Sequence, residues 1–177
     1  TKGTRFVAKL SNSGQVIWTK IMPGYPASSI ALDGAGNTYL KMRPGNGQPN
    51  AGLAKIDKGG KLLWNKKLCN FTGSTWGTDL VADTLGGVYF TGEFMKPATC
   101  GSANLGGGGF YLAKADTTGK LLWAVSGKSA AGADDLATSA GAVVAAGIYT
   151  ATTVFGSTKV VHPGTAAQAF VWKLYGP

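Results

Sequence analysis

The chain has 177 residues, enough for one domain with a sizeable core, and a net charge of +9 from 17 Lys and Arg against 8 Asp and Glu. Glycine accounts for 28 residues, about twice its ordinary share, and no apolar run approaches the roughly 20 residues that a membrane-spanning helix needs. The composition predicts a single turn-rich all-β domain over 1–177, without a transmembrane segment.

The positive charge does not predict a nucleic-acid partner. All but two of the cations are Lys, the exceptions being Arg5 and Arg43, and no run of five cations occurs. Specific nucleic-acid recognition relies on Arg forks and on clustered phosphate contacts. We therefore expect no specific nucleic-acid binding.

The first predicted element is a β-hairpin that recurs along the chain. The segments FVAKLSNSGQVIW, GLAKIDKGGKLLW and YLAKADTTGKLLW start at Phe6, Gly52 and Tyr111, and a shorter copy, FVWKL, covers 170–174. Each full copy places a turn that ends in glycine between two apolar strands, and the turn also supplies a Ser or Asp side chain. The repeats are predicted to cover roughly 5–51, 52–109 and 110–169, followed by the terminal strand 170–174.

A second hairpin follows each repeated Trp, over 28–42, 78–94 and 135–149. Each period thus holds about four strands, a pattern typical of β-propeller blades. We predict about three four-stranded antiparallel blades plus one extra strand. Such a chain is incomplete as a ring by itself, because closed propellers have about four to eight blades. Trp18, Trp64 and Trp123 are predicted to form the repeated core between blades.

The middle repeat carries a family resemblance. The Ala-Lys-x-Asp-x-x-Gly-x-Leu-x-Trp pattern, followed by Asp83, Gly87, Tyr89, Thr91 and Gly92, resembles the β-propeller repeat of bacterial secreted and surface proteins. The resemblance extends over nearly the whole chain. It implies a propeller fold and an extracellular, periplasmic or cell-surface location. It also implies a bacterial source.

The longer connections between strands are the predicted place for a binding site, because loops on a rigid scaffold carry most function. We expect them at 22–27, 43–51, 69–77, 95–109, 126–134 and 150–169, on the rim opposite the tight turns. The candidate ligand-binding residues in these connections are Tyr25, Arg43, Trp76, Asp134 and His162.

Cys69 and Cys100 are the only cysteines, and both fall in these connections. A structural disulfide is the leading interpretation, with two unrelated free thiols as the alternative. A zinc site would need further Cys or His ligands, and His162 is the only histidine. A disulfide would indicate an oxidising compartment.

The catalytic inventory is small. His162 has no acidic neighbour in sequence, Glu93 is the only glutamate, and Asp134 and Asp135 would point to opposite faces of an extended segment. We therefore expect no enzyme, no metal and no cofactor. The predicted function is an interaction or scaffold module, exported or surface-associated, which binds protein partners or copies of itself as a subunit or fragment of a larger assembly. The alternative is a carbohydrate-binding propeller in which Trp76 and Tyr25 stack on a sugar.

Overall fold

A computed structural model describes residues 5–22, 27–42, 50–72, 75–128, 131–139 and 142–175, and of residues 50, 75–78, 128 and 131 it describes the backbone alone. The described part is all-β, with seventeen strands and no helix. In chain order the strands are β1 (Phe6–Leu10), β2 (Val16–Ile21), β3 (Ala27–Leu32), β4 (Thr38–Met42), β5 (Asn50–Ile56), β6 (Leu62–Phe71), β7 (Thr75–Ala82), β8 (Val88–Phe94), β9 (Ala98–Cys100), β10 (Ala103–Gly106), β11 (Gly109–Ala115), β12 (Leu121–Lys128), β13 (Ala131–Ser139), β14 (Ala142–Tyr149), β15 (Thr153–Phe155), β16 (Thr158–Val160) and β17 (Gln168–Tyr175).

These strands form four antiparallel sheets, none of which closes on itself. The first sheet is the β1-β2 hairpin, and the second has six strands in the order β10-β9-β6-β5-β4-β3. The third repeats that arrangement as β16-β15-β12-β11-β8-β7, and the fourth is β13-β14-β17. Each full sheet therefore begins with the second hairpin of the sequence repeat, so the sheets and the repeats are offset by two strands.

The prediction of four strands per sheet was wrong. The two complete sheets have six strands, because the hairpins β9–β10 and β15–β16 lie in segments that we predicted as open connections. Each of these hairpins pairs with the sheet before the one from which it emerges: β9 pairs with β6, and β15 with β12. The outermost strands of a sheet thus come from a later part of the chain.

The tight turns form for a local reason that the sequence shows directly. In the turn between β5 and β6, Asp57 Oδ1 accepts hydrogen bonds from the amides of Gly59 and Lys61, both at 2.9 Å. Gly60 closes the turn with a φ of 91°, in the left-handed region that favours glycine. Asp33, Asp83 and Asp116 make the same pair of contacts in their own turns.

The core lies between sheets that pack face to face. One apolar cluster lies between the first and second sheets, a larger one between the second and third, and another between the third and fourth. Aromatic rings fill the larger two: Tyr111 packs near Phe71, with ring centroids 5.3 Å apart, and Phe155 packs near Phe170 at 4.6 Å. The third sheet is therefore covered on both faces, whereas the second is covered on its far face and only in part on the face toward the first sheet.

Candidate functional site

Tyr25 and Arg43, two of the five predicted ligand-binding residues, lie outside the described residues. Trp76 lies in β7 and not in a connection as we predicted, and of residues 75–78 the backbone alone is described. The hypothesis that Trp76 and Tyr25 stack on a sugar therefore stays a prediction.

Asp134 is exposed, at a bulge where β13 shifts register against β14. Its described electrostatic neighbour is Glu93 on β8. Burial raises the pKa of Glu93, and the negative charge of Asp134 raises it further. Gly132 lies directly beside Glu93, so a Cβ added at Gly132 would collide with Glu93 Oε1.

His162 is half-buried in the connection between β16 and β17. Its Nε2 lies 2.8 Å from the carbonyl oxygen of Ala166, and its ring meets that of Tyr149 edge-on, with centroids 5.6 Å apart. The His162 amide donates to Thr152 Oγ1 at 3.1 Å. These contacts hold the connection against the fourth sheet, and no described contact joins His162 to Asp134.

The cysteines form a buried disulfide, as we predicted. They face each other in register on β6 and β9, with Cα atoms 4.0 Å apart, so they lie inside the second sheet and not in loops. The disulfide fastens the β9–β10 hairpin to a sheet made of earlier residues. No cluster of three or more His, Cys, Asp or Glu that could hold a metal occurs in the described ranges.

The repeated tryptophans link each sheet to the next. Trp18 and Trp64 are half-buried, and each donates its indole N–H at 3.2 Å to a carbonyl in the next sheet's turn, that of Lys58 and that of Thr117. Trp123 is the third member of the row and packs against the cluster between the third and fourth sheets. Its Nε1 is buried and has no hydrogen-bond partner among the described residues.

The repeated lysines lie over aromatic rings. Lys55 Nζ lies 4.8 Å from the ring centroid of Tyr39 and 3.6 Å from Asp33 Oδ2. Lys114 Nζ lies 4.8 Å from the ring centroid of Tyr89. Lys55 is only 7% exposed. The turn carboxylate and the ring compensate the burial of its charge.

The most unusual surface is at the open end of the sheet array. Ile30, Leu80 and Leu136 occupy the same position on β3, β7 and β13, yet Ile30 is 55% exposed whereas Leu80 and Leu136 are 2% and 6% exposed. Leu80 and Leu136 are covered by the preceding sheet. Ile30 is uncovered because, among the described residues, the first sheet consists of β1 and β2 alone, the counterparts of β5 and β6.

The first sheet also exposes an apolar outer face. Phe6, Leu10, Ile17 and Ile21 are each more than half exposed. A groove of about 530 Å³ runs between β1 and β3, with Val7, Leu10 and Trp18 on one side and Ile30 and Leu32 on the other. We call this groove and the free edge of β1 the open groove. The sequence predicted a chain that is incomplete as a ring, but it did not identify these residues.

The other end of the array is uncovered as well. On the fourth sheet the side chains of Val171 and Tyr175 are 75% and 73% exposed, and that of Ile148 is 48% exposed. Their strand neighbours Phe170 and Trp172 point the opposite way, into the core shared with the third sheet. The described chain thus presents one apolar sheet face at each end.

Neither a scan against protein-family models nor a search of the curated proteins gives a match for this chain. Among the described residues, no helix is long and apolar enough to cross a membrane.

Proposed function

We propose that this chain is a non-enzymatic interaction or scaffold module, built from propeller-type sheets, which works as part of a larger protein assembly. The observation that carries the proposal is the exposure of Ile30 at 55%, at a position where Leu80 and Leu136 are 2% and 6% exposed. A position buried in two sheets and open in the third is a contact surface without its partner. Protein partners or further copies of the chain would cover it.

The size of the uncovered surface supports the same conclusion. Phe6, Leu10, Ile17 and Ile21 are exposed on the outer face of the first sheet, and Leu10 also lines the open groove. Large contiguous apolar patches on a soluble protein mark interaction sites. Burial of each side chain of this size contributes about 1.5–3 kcal/mol, so several of them together provide a strong drive for association.

The buried disulfide supports an exported or surface-associated location, extracellular or periplasmic. Disulfides persist in oxidising compartments and are rare in reducing ones. The β6–β9 position also supports a structural role for the bond, because the two strands pair in the same register there.

Light scattering on the purified chain at micromolar concentration tests the proposal. We expect a mass above the 18.1 kDa of one chain, and a return to that mass when Ile17 and Ile21 are both replaced by Lys. Leu85→Lys is the matched control, because Leu85 is 88% exposed in a turn outside the patch. A folded wild-type chain that remains at 18.1 kDa, with or without candidate partners, would contradict the proposal.

A further inference from the structure

We infer that the open groove is a docking site for an antiparallel β-hairpin from a partner protein, which pairs with the free edge of β1 and covers Ile30. The inference rests on the proposed function and names the partner's chemistry. The hairpin has an Asp-capped tight turn, and its second strand carries a tyrosine opposite Lys9.

The shape of the groove follows from the strands that fill the equivalent places elsewhere. β3 packs against β7, and β7 packs against β13, so the first strand of each sheet covers the first strand of the next. Within the described part of the chain, no such strand lies on the other side of β3. The second sheet contains both hairpins, β3–β4 and β5–β6. The first sheet contains only β1–β2, which corresponds to β5–β6. A two-stranded hairpin is therefore the element that the groove lacks.

The free edge of β1 is ready to hydrogen-bond. Arg5 O accepts a hydrogen bond from Met22 N at 2.9 Å, and β1 pairs with β2 in antiparallel register from Phe6 opposite Ile21. Main-chain groups alternate in direction along an antiparallel strand. The N–H and C=O of Phe6 and Ala8 therefore face away from β2, into the open groove. A strand added at this edge would satisfy them, as in other cases of strand addition.

Lys9 specifies the chemistry of the incoming strand. Its counterparts Lys55 and Lys114 each lie opposite a tyrosine of the neighbouring strand, Tyr39 and Tyr89, and each ammonium lies 4.8 Å from that ring's centroid. In the described residues Lys9 has no ring beneath it, and its Nζ lies 3.5 Å from Lys58 O.

A carboxylate completes the match in charge. The turn that precedes Tyr39 brings Asp33 Oδ2 to 3.6 Å from Lys55 Nζ. A hairpin of the β3–β4 type would bring the same two groups, a carboxylate and a phenol ring, to Lys9. The groove walls supply apolar contacts from Val7, Leu10 and Ile30.

A labelled synthetic peptide with the sequence of residues 27–42 is the probe, because it contains both Asp33 and Tyr39. Fluorescence anisotropy with the whole chain should show saturable binding, which a scrambled peptide lacks. Ala8→Pro should weaken binding at least tenfold, since proline removes one donor from the free edge and none from the β1–β2 pairing. Ile30→Asp should do the same, whereas Leu85→Asp should bind as the wild type does. Replacing Tyr39 of the peptide by Ala should weaken binding about threefold, the size of an exposed cation–π contact.

Amide hydrogen exchange separates strand pairing from non-specific apolar adhesion. Peptide binding should slow exchange at Phe6 and Ala8 and leave Val7 and Lys9 unchanged, because the latter two amides already face β2. This readout uses the wild-type chain, so it stands even if Ala8→Pro fails to fold.

Three results would overturn the inference. The first is absence of peptide binding while the wild-type chain still associates in a manner insensitive to Ala8→Pro, which leaves the proposed function intact. The second is self-association that Ala8→Pro abolishes without any peptide binding, which would make a second copy the occupant. The third is a monomeric chain that does not bind the peptide, which would also contradict the proposed function.

Discussion

The indole N–H of Trp64 donates to the carbonyl oxygen of Thr117 at 3.2 Å, and so joins the second sheet to a turn of the third. The same contact recurs between Trp18 and Lys58. Gly119 in the same turn lies against the Trp64 ring, at 3.0 Å from where its Cβ would be. The hydrogen bond from the indole to the turn therefore recurs between consecutive sheets and connects them.

Trp64→Ala is expected to lower the free energy of unfolding by about 2–4 kcal/mol, because it removes a large, half-buried ring from the core between two sheets. Trp64→Phe should cost about 1–2 kcal/mol, since it keeps most of the ring packing and loses the hydrogen bond. Denaturant unfolding measures both. Leu63→Ala is the control, because Leu63 is 47% exposed on the same strand. Equal losses for Trp64→Ala and Leu63→Ala would show that Trp64 does not fasten the sheets.

Removal of the disulfide is expected to cost about 3–4 kcal/mol, because the bond closes a loop with a sequence separation of 31 and so restricts the unfolded chain. The double variant Cys69→Ser, Cys100→Ser should show this loss in denaturant unfolding. Reduction of the wild-type chain should give the same value within error. A reduced chain as stable as the oxidised one would contradict the prediction.

Alkaline pH is expected to destabilise the fold through Tyr39 and Tyr111. Burial raises the pKa of both phenols above the ordinary value of 10.0, and the nearby Asp33 carboxylate raises that of Tyr39 further. The folded state therefore holds these protons more tightly than the unfolded state. The resulting stability is complete below about pH 10 and is lost as the pH rises above it.

Unfolding followed by circular dichroism between neutral pH and pH 11 checks this expectation. The double variant Tyr39→Phe, Tyr111→Phe should show a flatter pH dependence over the alkaline range. Tyr175→Phe should retain the wild-type slope, since Tyr175 is 73% exposed. An unchanged slope in the double variant would assign the alkaline loss to other groups.

Gly127→Ala is expected to destabilise the chain by about 1–3 kcal/mol through overpacking. Gly127 on β12 lies in register opposite Phe110 on β11, and an added Cβ would collide with the Phe110 ring. Gly107→Ala is the matched control, because no atom lies within 4 Å of the position its Cβ would take. Thermal unfolding of the two variants should differ clearly, and equal melting temperatures would contradict the clash.

Local features of the fold were predictable, because each depends on a few adjacent residues. The turn at Asp57 and Gly60 is one example: a carboxylate that accepts two amide hydrogen bonds and a glycine with positive φ are both written in five consecutive positions. The disulfide pairing was predictable because Cys69 and Cys100 are the only two cysteines.

The added hairpins were not predictable from sequence patterns. β9 has three residues and β10 four, too short for a clear alternation of apolar and polar positions, and β10 runs into the glycine-rich segment 106–109. The partner of β9 is β6, about thirty residues earlier, and no local signal specifies that pairing. The two-strand offset between sheets and repeats could not be predicted either, because a tandem repeat is equally consistent with a sheet that starts at the first hairpin or at the second.

The open groove could not be predicted from the sequence, because it depends on which equivalent positions are covered in the folded chain. Ile30, Leu80 and Leu136 are all aliphatic in the sequence, and only the packed structure separates the exposed residue from the two buried ones.

The backward pairing of β9–β10 also sets the order in which the chain can fold as it is synthesised. The second sheet obtains its last two strands from residues 98–106, after β7 and β8 of the third sheet have already been made. The third sheet likewise waits for residues 153–160, which follow β13 and β14. A ribosome-bound chain therefore cannot finish one sheet before starting the next. Each sheet is therefore completed only when part of the next sheet is already present. We expect limited proteolysis of the nascent chain to give resistant fragments that contain two consecutive sheets before fragments that contain one.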